Sequence, residues 1–206
     1  VEPALPPDQY FSGTPTSTSR RRQVELVVAD LTATLVTDAG VFSPDRIDPG
    51  TRLLLQAAPA PAVPPQVAVD LGCGYGPIAR VLAHRFPACR VIAVEVNERA
   101  RALAAENLAS LPNVAVVAPD DITADLPVDL LWSNPPIRIG KAALHALLLE
   151  WLGRLTPTGE AVLVVQKHLG ADSLARWIAG EGWVVERLLS RQSYRLLRVC
   201  RSAAPS

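Results

Sequence analysis

Five short segments, VAVDL (67–71), VIAVEV (91–96), VAVVA (114–118), VDLLW (128–132) and AVLVVQ (161–166), carry apolar side chains at odd and even positions alike. A strand with one wet face alternates in polarity; a strand buried on both faces does not, and such strands belong to parallel sheets covered by helices on each side. The intervening segments supply those helices. GPIARVLAHRF, ERARALAAENLASL and KAALHALLLEWLGRL repeat apolar residues at helical spacing, as in Ala100, Leu103, Ala104, Leu108 and Leu111. Strand, turn and helix therefore alternate from Gln66 onward, which specifies a doubly wound α/β sheet, and WVVERLL and YRLLRVC add two strands at the end.

Upstream of Gln66 the pattern differs. Residues 1–22 are rich in proline, serine and threonine and end in the basic run Arg20-Arg21-Arg22, which predicts a flexible arm. QVELVVADLTATLVT then alternates apolar and polar residues on both sides of Ala29-Asp30, as a half-exposed hairpin does. In DRIDPGTRLLLQAA, Asp48 stands at a helix N-cap position with Pro49 in the first turn. The Ala-Pro stretch APAPAVPP marks a boundary. The chain thus divides into an arm over 1–22, a hairpin-and-helix extension over 23–65 and an α/β domain over 66–206.

With 206 residues, 49% of them hydrophobic, the chain can bury a substantial core. Its 20 basic residues cancel its 20 acidic ones, so net charge does not point to a nucleic acid and any basic surface must be local. Cys73, Cys89 and Cys200 are scattered and odd in number, which argues against a disulfide framework or a zinc site and fits a reducing cytoplasm. No apolar run is long enough to cross a bilayer, and the N-terminus, with Glu2 and Asp8, lacks the apolar core of a signal peptide.

In a doubly wound sheet, ligands bind at the carboxyl ends of the strands, where the strand order reverses. The first strand is followed by DLGCGYGP, whose glycines at 72, 74 and 76 permit a sharp turn and an unobstructed approach to the backbone. The third glycine arrives one residue earlier than G-x-G-x-x-G requires and Pro77 follows it, which disfavours a pyrophosphate at the helix N-terminus. The second strand ends at Glu95, about twenty residues beyond the glycines, where a carboxylate accepts from both hydroxyls of a ribose. The third leads into PDDI, in which Asp120 or Asp121 can accept from an adenine amino group while Ile122 packs on the ring. The fourth leads into Asn134-Pro135-Pro136. Prolines cannot donate to a sheet, so they end the strand and stiffen the loop that carries Asn134.

Together these residues resemble the "methyltransferase small" group of class I S-adenosylmethionine-dependent methyltransferases, which includes the bacterial small-subunit ribosomal RNA guanine-N2 methyltransferases and single-domain archaeal relatives. The likeness runs from GVFSPDRIDPGTRLLL through DLGCGYGP and NPPIRIGK to VVQKHLGADSLA and YRLLR. It implies a Rossmann-like class I methyltransferase sheet, mostly parallel with an antiparallel C-terminal strand. It assigns Asp70, Gly72, Gly74 and Tyr75 to the methionine moiety of S-adenosylmethionine, Glu95 to its ribose, and Asp121 with Ile122 to its adenine. Cys73, Val96 and Asn134 complete the expected cofactor contacts, S-adenosylhomocysteine is the product, and no metal is called for. Asn134, Pro135 and Pro136 become catalytic. An exocyclic amine keeps its lone pair in the ring π-system; if the Asn134 side-chain oxygen and the Pro135 carbonyl each accept one N–H, the nitrogen is pyramidalised toward the sulfonium methyl.

Many relatives place an aromatic residue after NPP, to stack on the target ring, where this chain has Ile137. Phe42, in GVFS, is the candidate for that π-face, with a lid on the core as its other reading. Phe42, Ile137, Arg138, Lys141 and Lys167 form the expected substrate-contacting set, and Arg20 to Arg22 extend it along phosphates. His84 and His145 fall on helices without a catalytic constellation, His168 follows Lys167 near the rim, and Arg187, Arg191, Arg195, Arg198 and Arg201 read as an exposed face. The resemblance implies methylation of an RNA base, guanine N2 of 16S ribosomal RNA foremost, with ribosomal RNA or the small subunit as partner. The bacterial ribosomal enzymes often carry an additional N-terminal domain that helps hold RNA, for which this chain is too short. The alternatives are N-methylation of a small molecule or a protein glutamine, and a cofactor-binding subunit without transfer activity.

Overall fold

A computed structural model describes residues 17–202, so most of the expected arm, residues 1–16, lies outside the described residues. The first described elements are β1 (Arg22–Val28) and β2 (Leu31–Thr37), an antiparallel pair joined through Ala29-Asp30 in the register Arg22 opposite Thr37 to Val28 opposite Leu31. Val24, Leu26 and Val28 point inward while the residues between them face solvent, the alternation a one-sided hairpin requires. Helix α1 (Pro49–Ala57) follows. Asp48 caps it by accepting from Gly50 N at 2.8 Å and Thr51 N at 3.0 Å, and Pro49 sits at a position whose N–H has no helical partner anyway.

The remaining strands are β3 (Val67–Leu71), β4 (Arg90–Val94), β5 (Val114–Val117), β6 (Val128–Ser133), β7 (Leu155–Gln166), β8 (Trp183–Arg191) and β9 (Tyr194–Arg201). The helices are α2 (Pro77–Arg85), α3 (Glu98–Leu108), α4 (Lys141–Gly153) and α5 (Ala171–Gly180). The strands form one sheet in the order β5-β4-β3-β6-β7-β9-β8. Neighbours from β5 to β7 are parallel, and β9 inserts antiparallel between β7 and β8. The order reverses between β3 and β6. Leu71 and Ser133, their last residues, lie side by side, and Ser133 Oγ donates to Leu71 O at 2.7 Å.

The central strands β3, β4, β6 and β7 send alternate residues into two separate cores. On one face Ala68, Ala93, Leu130, Trp132 and Val164 pack with the hairpin, α1, α2 and α3; on the other Val69, Val94, Leu131, Leu163 and Val165 pack with α4 and α5. This is the physical content of the uninterrupted apolar runs. β5 departs from the expectation: every residue in it is only half-buried, because it is the sheet edge and a 3-10 turn (Pro119–Asp121) stands where a covering helix would lie. Helix α5 was not among the three helices read from spacing. It starts at Gly170, in the left-handed conformation and without a side-chain cap, so it lacks the local signal that announced α1.

The hairpin shares a core with α2 and α3. Asn107 of α3 clasps Val36 through both its backbone N–H and its carbonyl, each at 2.8 Å. Residues ahead of β1 are also fastened: Arg99 donates to Ser17 O at 2.7 Å, and Asp38 accepts from Ser19 Oγ and Arg20 N. Arg21 pairs with Glu106 and Arg22 with Asp45, both as half-exposed surface ion pairs.

Candidate active site

The glycine turn after β3 is built by backbone donors aimed at β4. Gly72 N and Cys73 N both donate to Val94 O, at 3.0 and 2.9 Å, and Gly74 N donates to Glu95 Oε2 at 2.8 Å. Gly74, with φ +57°, adopts a conformation that L side chains rarely hold, and a Cβ there would meet no atom within 4 Å, so its face is open. The other oxygen of Glu95 accepts from Asn97 N at 2.8 Å, and Asn97 in turn caps α3 through Ala100 N at 3.0 Å. Glu95 is 8% exposed. Burial pushes its carboxyl up, opposed by the N–H groups of Asn97, Gly74 and Val96.

Asp70 lies beneath this turn. It is fully buried and accepts from Ala79 N at 2.8 Å, which fastens β3 to the first turn of α2; its Oδ1 has no partner among the described residues. Burial first, and the charge of Glu95 second, raise it against that single N–H, and its pKa is pushed up to about 8. Tyr75 is buried, and its hydroxyl reaches the carbonyls of Arg46 and Ser43 at 3.4 and 3.5 Å, tying the turn to the segment before α1.

After β6 the chain makes a tighter corner. Ile137 N donates to Pro135 O at 2.8 Å across Pro136, whose φ of −75° and ψ of 73° are those of an inverse γ-turn. The proline ring holds φ at the value this turn needs, which is a physical reason for the second proline. A carbonyl has two lone pairs, so Pro135 O keeps one beyond the bond to Ile137. The side chain of Asn134 is clamped: Nδ2 donates to Asp48 Oδ2 at 2.9 Å and to Thr51 Oγ1 at 3.1 Å. An ionised carboxylate only accepts, so the amide nitrogen must face Asp48 and the amide oxygen faces the other way.

Both corners open into one cleft of about 430 Å³, a size suited to a small ligand. Its walls include Gly72, Gly74, Glu95, Val96, Asn134, Pro135, Pro136 and Ile137, with Phe42, Arg138, Leu169 and Tyr194 also contributing. Phe42 is 42% exposed, an unusual placement for a phenyl ring outside a binding surface. Among the described residues, no group of three His, Cys, Asp or Glu side chains could hold a metal, and no helix is long and apolar enough to cross a membrane.

The model of the methyltransferase small domain matches residues 32–198, from β2 into β9. The chain belongs to the methyltransferase small domain family. Among its curated relatives is an uncharacterized protein, YbxB, of Bacillus subtilis, 33% identical over 171 residues, which are 81% of this chain and 85% of that protein. The ribosomal RNA small subunit methyltransferase C of Pseudomonas entomophila is 31% identical over 89% of this chain and 55% of its own length. The ribosomal RNA large subunit methyltransferase G of Streptomyces avermitilis is 32% identical over 71% of this chain and 40% of its own. This chain thus spans about half the length of these two ribosomal RNA methyltransferases. A solved T. thermophilus 16S rRNA N2-guanine methyltransferase, in complex with AdoMet and guanosine, superposes with a TM-score of 0.74 over 91% of this chain and 52% of that one, at 22% identity. At that identity the superposition speaks for the fold.

Measured against the family's residues, the structure brings Phe42, Gly72, Cys73, Gly74, Tyr75, Glu95, Val96, Asn134, Pro135, Pro136, Ile137 and Arg138 onto the cleft. It does not bring all of the expected set. Asp70 is under the turn rather than on the wall, Asp121 folds back to accept from Ala118 N at 3.3 Å, and Ile122 packs in the second core, leaving Pro119 on the cleft in their place. Lys141 and Lys167 are exposed outside the lining. His168 is exposed too, and His145 stacks on Trp177 at 3.4 Å. The C-terminal arginines are less of an open face than expected: Arg187 and Arg195 converge on Asp172 of α5, Arg198 bridges Glu160 and Glu186, and Arg201 donates to Leu155 O and Gly153 O. Residues that pattern reading missed are Thr51, Gln166, Leu169 and Tyr194, together with a second role for Asp48. Tyr194 comes opposite Gln166 only because β9 inserts beside β7.

Proposed function

We propose that this family member is an S-adenosylmethionine-dependent N-methyltransferase acting on the exocyclic amine of an RNA base, foremost guanine N2 in small-subunit ribosomal RNA. The observation that carries the reading is the meeting, in one cleft at the strand-order reversal, of an open glycine turn and a proline-stiffened corner bearing two carbonyl oxygens. The residues fit the cofactor. Gly72 and Gly74 leave the space a Cβ would fill, and Glu95, with each oxygen holding one backbone N–H, retains lone pairs for two ribose hydroxyls.

When bound, the cofactor supplies a methyl group on a sulfonium and leaves as S-adenosylhomocysteine. The chain's own part is geometric. Asn134 Oδ1 and the free lone pair of Pro135 O each accept one N–H of the substrate amine, which draws the nitrogen out of conjugation and directs its lone pair into the cleft. The incoming amine is neutral, so no base is needed before transfer, and the proton leaves afterwards to water. Positioning and fixed dipoles carry the rate. Phe42, exposed at the cleft, offers a π-face on which a base extruded from its stack can rest.

Charge placement supports RNA. Several cations away from the cleft lining are paired with carboxylates, as in Arg21 with Glu106, Arg85 with Asp30, Arg154 with Glu150 and Arg187 with Asp172. Arg138 on the cleft wall, Lys167 next to Gln166 and Arg191 opposite Tyr194 are exposed and have no carboxylate partner among the described residues. These three cations place positive charge beside the cleft, where phosphates flanking a target base would lie.

The test is transfer of radiolabelled methyl to separated RNA, protein and metabolite pools by wild type and Asn134→Ala. The expected result is label in RNA, reduced about tenfold to a hundredfold or more in the variant, the scale of losing one hydrogen bond made in the transition state. Label confined to the protein or metabolite pool refutes the RNA assignment, and equal labelling by both proteins removes Asn134 from the chemistry.

A further inference from the structure

We infer that Asp48, which stands in the N-terminal extension outside the large sheet, is the positioning residue that selects which atom of Asn134 faces the substrate, with Thr51 as its auxiliary. The inference rests on the function proposed above and adds to it a requirement that the large sheet alone does not meet. An asparagine amide presents an oxygen on one side and an NH₂ on the other, and the two orientations differ by a half-turn about one soft torsion. Only one of them accepts an N–H. Nothing in the Asn-Pro-Pro corner makes that choice: the γ-turn fixes the backbone and Pro135 carries no donor.

Asp48 makes it. A single oxygen, Oδ2, receives Gly50 N at 2.8 Å, Thr51 N at 3.0 Å and Asn134 Nδ2 at 2.9 Å, while Thr51 Oγ1 receives the same Nδ2 at 3.1 Å. Two helix N–H groups orient the carboxylate, and the carboxylate orients the amide. If the amide turned over, its oxygen would oppose the carboxylate and its NH₂ would point at the substrate's own N–H. The contact also polarises the amide, since an N–H held by an anion pushes electron density toward Oδ1 and makes it a stronger acceptor. The site is enclosed on the α1 side: Thr51 is 5% exposed, and a Cβ on Gly50 would come within 2.6 Å of Tyr194 and 2.9 Å of Asp48, so the backbone approaches closely there. The extension therefore contributes a working part of the active corner.

The experiment separates capping from positioning. Asp48→Ser keeps an N-cap oxygen for α1 but is too short to reach Asn134; Asp48→Asn restores an acceptor oxygen at the original distance. We expect Asp48→Ser to lower kcat about tenfold to a hundredfold, the range for one charge-assisted hydrogen bond, with the Kd for adenosylhomocysteine unchanged within about twofold and Asp48→Asn recovering part of the rate. In the Asn134→Ala background the same Asp48→Ser change should have no further effect, because its route to the substrate is gone. An undiminished kcat in Asp48→Ser, or an equal fractional loss with and without Asn134, overturns the inference. A readout independent of turnover is the Nδ2 proton pair of Asn134 in nitrogen-labelled protein. Slowed solvent exchange should be present in wild type and lost in Asp48→Ser, and equal exchange in both overturns the clamp. The parent reading fails by a different result, full activity of Asn134→Ala alone.

Discussion

Gly74 and Gly76 are two residues apart in the same turn, both with positive φ, yet alanine at each should do different things. At Gly74 (φ +57°) the added Cβ meets no protein atom within 4 Å, so the folding penalty is only that of a left-handed L-residue, roughly 1–2 kcal/mol. At Gly76 (φ +94°) the Cβ would also sit 2.9 Å from Leu108 Cδ1 and 3.3 Å from its Cγ, in the packed interface between α2 and α3. Overpacking of that kind adds roughly 1–3 kcal/mol, for a total of roughly 2–5 kcal/mol. With a urea dependence of about 2–3 kcal/mol per molar for a chain of this size, the midpoint should fall by about 0.5 M for Gly74→Ala and about 1–2 M for Gly76→Ala. Ligand binding should rank the other way. The methyl group of Gly74→Ala projects into space assigned to the cofactor, so the Kd for adenosylhomocysteine should rise roughly five- to hundredfold, while folded Gly76→Ala binds within a few-fold of wild type. Urea titrations followed by tryptophan fluorescence and calorimetric binding provide both numbers. Unchanged affinity in Gly74→Ala would show that the open face is not the ligand's side; equal midpoints for the two variants would refute the packing argument.

Further outcomes follow from the same geometry. Asp70 has a folded-state pKa raised from 3.8 to about 8, so its stabilising contribution is complete below pH 3.8 and is lost as pH rises through about 8. Asp70→Asn keeps an acceptor for Ala79 N and does not titrate; its stability relative to wild type should improve with pH over that window, by at most about 1.4 kcal/mol per unit, and parallel pH curves would refute the burial argument. Phe42→Ala should leave the melting temperature and cofactor affinity near wild type, since the ring is half in solvent, but raise KM for RNA; an unchanged KM removes it from base binding. Arg138→Ala, Lys167→Ala and Arg191→Ala should each weaken RNA binding and reduce the slope of log K against log salt by about one, whereas Arg187→Ala, whose charge is spent on Asp172, should leave the slope unchanged.

Some of this was legible in the residues because it is local. The cap of α1 is a short-range contact between Asp48 and the two N–H groups that follow, and the glycine turn and Asn-Pro-Pro corner need no distant partner to take their shapes. Short apolar runs such as VIAV, bounded by turn signals, read as strands covered on both sides, and β4 is one. Other features depend on what arrives from elsewhere in the chain. VAVV resembles the other runs, yet β5 is half-buried because no strand pairs beyond it. Arg21 and Arg22, read as phosphate contacts, also meet Glu106 and Asp45, partners that no local pattern announces. Asp121 and Ile122 follow their strand as the family's pattern requires, in and just after a 3-10 turn of which Pro119 is the residue lining the cleft.

Periodicity and turn chemistry act over fewer than a dozen residues, so the chain alone settled the layers, the alternation of strand and helix, and which strand ends carry polar groups. Contacts across 86 residues, such as Asn134 to Asp48, obey no such period. Only the packing of α1 against the sheet decided that the carboxylate capping one helix would also hold the amide at the end of a strand, because an oxygen that can accept several hydrogen bonds is shared by whatever the fold brings within about 3 Å of it.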